Sequence, residues 1–271
     1  MKFEQNIISL IQRRPLLFKL YFFCRLHVGN EMTPPPGLNF VGYPEFRKIG
    51  TKYLEYIKDF TGLQPHHAVL DVGCGIGRTA IPMTQYLSFD GRYEGFDIVD
   101  LGITWCKRKI SRKYPNFRFV KADIYNRHYN PSGKIHSNDY VFPYRDGTFD
   151  VVYATSVFTH MMPDAVVRYI AEMRRVLKPG GKSLCTFFIL DRESIEAMKD
   201  SMFNFRSVDN QTYRVMNADD PENAIAFEVA NVRSFYQNAG MSVVEPIRFG
   251  TWSGRDHALV GGQDMVIAKK A

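Results

Sequence analysis

The sequence predicts an α/β fold, a mostly parallel sheet with helices on both faces, and three observations carry that expectation. From Tyr43 onward, short runs rich in β-branched and aromatic residues alternate with helix-length segments, the pattern of βαβ units around a parallel sheet. The stretch VLDVGCGIGR, Val69 to Arg78, leads an apolar strand into a turn built on Gly73, Gly75 and Gly77. Two acids, Asp97 and Asp123, stand at the ends of the next two strand-like runs, RYEGFDI and FRFVKADIY.

In chain order, residues 1–30 carry helical apolar spacing broken at Pro15, where a ring without an N–H interrupts a helix. Two short amphipathic helices are expected there, serving as a lid, a dimer contact, a foot on a membrane surface, or simply packing on the main domain. The run TPPPG at Thr33–Gly37 reads as a stiff linker, which makes 1–37 an extension and 38–271 one α/β domain. Within that domain strands are expected near Ala68–Gly73, Tyr93–Ile98, Phe117–Asp123, Phe149–Thr155 and Lys182–Leu190. Helices fall near Tyr43–Phe60, Arg78–Leu87, Gly102–Tyr114 and Pro163–Leu177. After Asp191 a polar, irregular stretch reaches Glu222. A helix over Val229–Asn238, capped by Gly240, and strands near Met241–Arg248 and Gln263–Lys269 complete the chain.

A chain of 271 residues with 45% hydrophobic and 23% charged residues can bury a full core. No apolar run approaches the roughly 20 residues of a membrane span. Arg13, Arg14, Lys19 and Arg25 interrupt any signal-peptide core, so the protein is expected in the cytoplasm, with a peripheral position at the inner membrane face through residues 1–30 as the alternative. Cys24, Cys74, Cys106 and Cys185 lack disulfide or zinc-ligand spacing, and no metal is expected. A net charge of +7 suits anionic partners without selecting one.

The glycine turn is where chemistry is expected. Without side chains a ligand can touch the backbone, and the following helix offers free N–H groups, which suits a polar or anionic ligand; an ordinary tight turn is the alternative. The dinucleotide fingerprint G-x-G-x-x-G places its third glycine one residue later, where Arg78 stands, which counts against a nicotinamide-dependent oxidoreductase. Asp97, twenty residues beyond Gly77, can accept hydrogen bonds from both hydroxyls of a ribose.

Taken together, VLDVGCGIGR, GFDI, KADI, FDVVYATSVFTHM and RVLKPGGKSLCTFF, in that order across Ala68–Leu190, resemble the successive motifs of class I S-adenosylmethionine-dependent methyltransferases. The resemblance implies a Rossmann-like, seven-stranded sheet with the last strand antiparallel, and S-adenosylmethionine as cofactor with S-adenosylhomocysteine as product. By position it implies that Asp71, Gly73, Cys74, Gly75 and Gly77 border the methionine part and that Asp97, with Ile98 beside it, binds the ribose. Asp123 with Ile124 would flank the adenine, and Thr155 with Ser156 would close the methionine side. It gives Lys178–Gly181, KPGG, a structural turn before the fifth strand.

Methyl transfer is an in-line displacement that depends mainly on alignment in a dry pocket, so the sequence speaks more clearly about the cofactor than about the acceptor. For a hydroxyl acceptor a histidine is the natural base, and two are candidates. His160 follows the fourth strand in TSVFTHMMPD, and His257 lies in GTWSGRDHALVGGQD between the last two strands; a satisfied structural histidine is the alternative for each. The long insertion Tyr125–Thr148, with Tyr125, Arg127, His128, Tyr129 and His136, reads as a substrate-facing flap. No N/D-P-P-Y/F motif follows the fourth strand, where amine-methylating members of the resembled family carry one, so nucleic acid is disfavoured as a partner. The expected reaction is methylation of a small-molecule or glycan acceptor at a hydroxyl. Its rivals are a lipid or quinone acceptor at a membrane, a nicotinamide-dependent oxidoreductase, and a non-catalytic cofactor-binding module.

Overall fold

The computed structural model describes Leu26 and residues 31–34, 45–208 and 211–271. The helices expected in 1–30 and most of the Thr33–Gly37 linker lie outside the described residues, as does Cys24. The domain opens with α1 (Phe46–Thr61), whose buried Phe46, Gly50, Leu54 and Ile57 share one face and whose chain turns out through Gly62 in the left-handed conformation. Strands β1 (Ala68–Val72), β2 (Arg92–Asp97), β3 (Phe117–Lys121), β4 (Phe149–Ala154) and β5 (Leu177–Phe187) follow. Between them run α2 (Ala80–Met83), α3 (Asp100–Cys106, continued by a π-turn over Lys107–Ser111) and α4 (Pro163–Val176). Then come β6 (Ile189–Leu190), α5 (Arg192–Ala197), β7 (Arg206–Ser207), β8 (Tyr213–Val215), β9 (Ile225–Glu228), α6 (Val229–Asn238), β10 (Met241–Val243) and β11 (Asp264–Lys270).

The main sheet has seven strands in the order β10-β11-β5-β4-β1-β2-β3. Strands β3, β2, β1, β4 and β5 pair in parallel, and β11 runs antiparallel to both its neighbours. This is the Rossmann-like arrangement the sequence predicts. The pleat explains why its strands are apolar on both faces. Leu70, Val72, Val152 and Ala154 enter one core with α4 and α6, while Val69, Val151, Tyr153 and Leu184 enter the other with α1 and α3. Each fully buried side chain of this kind contributes about 1.5–3 kcal/mol.

The KPGG segment is a bulge in β5 rather than a turn ahead of it. Phe149 pairs with Leu177 but Val151 already pairs with Lys182, so residues 178–181 are looped out opposite Asp150. Lys178 Nζ binds the Asp150 carboxylate at 2.7 Å, and the same carboxylate accepts the Ala68 N–H at 2.8 Å, joining β1, β4 and β5 at their starts.

The stretch expected to be irregular after Asp191 contains α5, begun by a reciprocal capping box between Asp191 and Ser194, and two strands, β7 and β8, of a second sheet in the order β6-β9-β8-β7. Its strands are two to four residues long, too short to show an alternating pattern in sequence. A separate small core of Phe188, Leu190, Met198, Phe205, Ala226 and Trp252 holds it in place. The strand expected at Met241–Arg248 ends at Val243, ahead of Pro246, which has no N–H to pair. Among the described residues no helix is long and apolar enough to cross a membrane, and no group of His, Cys, Asp and Glu could hold a metal ion.

Candidate functional site

The turn after β1 is bound tightly to the tip of β2. Gly73 and Cys74 N–H both donate to the Phe96 carbonyl, at 2.9 and 3.0 Å. Gly75 N–H donates to Asp97 Oδ2 at 2.7 Å, and Val99 N–H donates to Asp97 Oδ1 at 2.8 Å. Gly73 has a φ of 77°, and a Cβ there would lie 2.4 Å from Val157 Cγ2, so only glycine lets the turn pass beneath the segment after β4. Burial raises the Asp97 pKa, opposed by the N–H groups of Val99, Gly75 and Ile98. With about four acceptor positions on its two oxygens, the carboxylate keeps accepting capacity beyond these N–H groups.

Asp71, the last but one residue of β1, is 2% exposed. Its Oδ2 accepts the hydroxyls of Tyr93 at 2.6 Å and Tyr153 at 2.7 Å, while its Oδ1 is buried with no partner. Burial pushes its pKa up to about 7, against the opposing effect of the two tyrosine hydrogen bonds. A buried acceptor left open on a cavity wall is a place for a donor from a ligand.

These groups face a cavity of about 340 Å³ at the carboxyl edge of the sheet, a size suited to a small molecule. Asp71, Gly73, Cys74, Gly75, Asp97, Ile98, Ile124, Thr155, Ser156 and His160, all singled out in the sequence, line it. Three others do not. At Gly77, with φ 83°, a Cβ would sit 2.8 Å from Ile110 Cδ1 and 2.9 Å from Cys106 Sγ, so this glycine allows the turn to pack on α3 and its continuation. Asp123 offers its main-chain carbonyl to the Lys134 and Ile135 N–H groups, both at 3.0 Å, and anchors the return of the insertion instead of facing the cavity. His257 is exposed on the loop before β11 and does not line this cavity.

The insertion does close over the site. Asn126 Oδ1 accepts the N–H groups of His128 and Tyr129, both at 3.0 Å, and Asn130 Nδ2 donates to the Ile124 carbonyl at 2.8 Å, forming a tight knuckle. Tyr125, Asn126, Tyr129 and Ser137 reach the cavity from it; Arg127 does not. His128 Nε2 stands 2.8 Å from Asp220 Oδ2, joining the insertion to the loop before β9. That loop also supplies Glu222, which lines the cavity and whose carbonyl lies 3.0 Å from His160 Nδ1. A carbonyl can only accept, so Nδ1 carries the hydrogen, and in the neutral ring Nε2 is the nitrogen with the lone pair. The cavity thiol Cys74 and its neighbour Cys106 are held protonated by burial, which removes them as nucleophiles.

Sequence reasoning missed Tyr93 and Tyr153 as partners of Asp71, because their register across β1 is a property of strand pairing. It also missed Glu222, whose approach depends on the second sheet; its only local signal is the acidic run Asp219–Glu222.

Residues 69–181 match a family model described as a methyltransferase domain. Sterol 24-C-methyltransferase from Schizosaccharomyces pombe is 30% identical over 141 residues, 50% of this chain and 32% of that protein. A phthiotriol/phenolphthiotriol dimycocerosates methyltransferase from Mycobacterium ulcerans is 34% identical over 118 residues, 44% of this chain and 36% of that protein. The chain thus spans about a third of the length of these relatives. Among solved structures, that of a SAM-dependent methyltransferase from Aquifex aeolicus superposes with a TM-score of 0.54 at 16% identity, covering 88% of this chain and all of that one, which is a likeness of fold.

Proposed function

We propose, from the premise that residues 69–181 form a class I methyltransferase domain, that this protein transfers a methyl group from S-adenosylmethionine to a hydroxyl of a small-molecule or glycan acceptor. The observation that carries the reading is the pair of open acceptors on one cavity: the unpartnered Oδ1 of Asp71 and the Asp97 carboxylate on either side of a glycine turn. These residues fit the cofactor. Asp71 receives its ammonium, Asp97 accepts its ribose hydroxyls, Ile98 and Ile124 flank its base, and Thr155 and Ser156 border its methionine end. The space kept clear by Gly73, which a Cβ would fill, admits it against the backbone. Asp123 acts here through its main chain alone, by setting Ile124.

When bound, S-adenosylmethionine supplies a methyl group made electrophilic by its sulfonium. Transfer of that methyl group to an acceptor oxygen would leave S-adenosylhomocysteine, and the residues above would hold the donor in line with the acceptor. His160 Nε2 would take the hydroxyl proton, the ring being held in the competent tautomer by the Glu222 carbonyl. The insertion and the Glu222 loop wall one side of the cavity, and a bound donor and acceptor would displace water from it, which would sharpen the electrostatic interactions there. Calorimetric titration of the folded protein with S-adenosylhomocysteine tests the reading, and absence of binding rejects it.

A second reading, a lipid-like acceptor, is supported by the names of the sterol and phthiotriol relatives. Sedimentation with anionic liposomes, with and without residues 1–30, separates the two: protein that stays in the supernatant in both forms removes the membrane-bound version.

A further inference from the structure

A second, larger cavity of about 990 Å³ adjoins the first, and Arg78 and Ser156 belong to the walls of both. It lies between α1, the segment 197–203 and the loop leading into β11. Gly261 N–H donates to Tyr56 Oη at 3.1 Å, tying that loop to α1. At the shared wall Ser156 has a φ of 57°, the one positive value at a non-glycine residue among those described, a conformation held only where surroundings enforce it. Its N–H donates to Thr186 Oγ1 at 2.8 Å and its hydroxyl donates to Gln263 Oε1 at 3.1 Å, while Thr186 Oγ1 donates to the same Oε1 at 2.6 Å. With Oε1 taken by two hydroxyls, what Gln263 offers a ligand is its amide N–H pair.

The rest of the wall is mixed in a particular way. Lys48, Lys52 and Arg78 line it together with the acid Glu45. The two lysines are 76% and 57% exposed and pair with Glu45 and Glu55 within their own helix, contacts weak enough to yield to a bound anion. Ser201, Thr251 and Ser253 add hydroxyls, and Ser253 Oγ is fully buried beside the cavity with no partner. Tyr53, Tyr56, Phe188, Phe203 and Trp252, with Ile49 and Met202, make most of the remaining wall apolar and largely aromatic. An apolar, largely aromatic wall edged by hydroxyls and by two exposed lysines complements a ring compound whose faces stack on the rings while its hydroxyls and an anionic group meet the polar edge.

We infer that this second cavity is the acceptor site, and that the acceptor is a polyhydroxylated ring compound carrying an anionic group, the chemistry of a sugar phosphate or a uronic acid. The inference rests on the methyl-transfer reading, because the shared Ser156–Arg78 wall is what brings an acceptor hydroxyl toward the cofactor cavity.

Saturation-transfer NMR on the full chain, with and without S-adenosylhomocysteine, tests it with four probes: glucose 6-phosphate, glucuronic acid, neutral glucose and dodecyl phosphate. The charged sugars are expected to bind, glucose at least about fivefold more weakly, and the Lys48→Glu/Lys52→Glu variant to lose about fivefold or more for the charged sugars, a change of about 1 kcal/mol, with S-adenosylhomocysteine affinity unchanged. Glucuronic acid alone or glucose 6-phosphate alone identifies which anion is taken. Binding of dodecyl phosphate alone, binding of no sugar, or indifference to the charge reversal overturns the inference. Failure of S-adenosylhomocysteine to bind, with sugar binding intact, instead removes the methyl-transfer reading and with it the acceptor role, leaving the cavity as a site for anionic sugars.

Discussion

Asp97 Oδ2 accepts the N–H of Gly75 at 2.7 Å, so the acid at the tip of β2 holds the middle of the turn that leaves β1. One carboxylate therefore both shapes the glycine turn and faces the ligand cavity. Asp97→Ala is expected to weaken S-adenosylhomocysteine binding by about 1–3 kcal/mol through lost charge-assisted hydrogen bonds. An unaltered dissociation constant in calorimetry would take Asp97 out of the site.

Asp71 gives the binding a pH dependence of definite sign. Its carboxyl gives up a proton near 7 in the folded protein and near 4 in the unfolded chain, so its contribution to the stability of the ligand-free protein falls as pH climbs through that window. A ligand ammonium favours the ionised form. Affinity for S-adenosylhomocysteine should thus fall by up to about tenfold per pH unit below about 7, and Asp71→Asn should flatten the profile. Asp264, also pushed up to about 7, shares the stability effect but does not line the cavity that Asp71 lines, and Asp71→Asn separates Asp71 from Asp97, whose pKa burial also raises. A wild-type affinity that is level from pH 6 to pH 8 contradicts the assignment.

Two glycines in the left-handed region separate backbone strain from packing. Gly62→Ala, with nothing within 4 Å of the new Cβ, is expected to cost about 1–2 kcal/mol. Gly77→Ala adds overlap with Ile110 and Cys106, a further 1–3 kcal/mol or so. Urea unfolding of the two variants measures the difference, and equal losses would show that the turn gives way without resistance from α3.

For His160 the informative replacement is Asn, whose amide can keep the hydrogen bond to the Glu222 carbonyl while removing Nε2. A base at this position predicts a loss of about 10²–10⁴ in kcat for both His160→Asn and His160→Ala, with loss of the acidic limb of the pH–rate profile. If Asn restores the rate that Ala loses, the histidine serves the loop and not the proton.

The hydroxyl pair on Asp71 can be tested from its partners. Tyr153→Phe removes one of two donors to a buried carboxylate and is expected to destabilise the fold by about 1.5–3 kcal/mol near neutral pH, where the carboxylate is partly ionised. The cost should shrink in acid, as the carboxyl becomes neutral; a penalty independent of pH would point to packing of the ring edge instead.

What the sequence by itself determined is local: the parallel strands, the glycine turn that follows the first of them, and the acids at their tips. Apolar runs bounded by turn residues state their conformation within a few positions, and a strand tip in a parallel sheet has only one edge on which to stand. Tertiary structure decided the rest. Whether Asp123 presents its side chain or its carbonyl, which two tyrosines meet Asp71, and which carbonyl sets the tautomer of His160 depend on register and on loops that meet across long stretches of chain. The second sheet, whose strands are too short to have a period, exists because Phe188, Phe205 and Trp252 bury one another, and with it come Glu222 and part of the wall of the larger cavity. Local patterns encode conformation, whereas juxtaposition is encoded only in the packing of the whole.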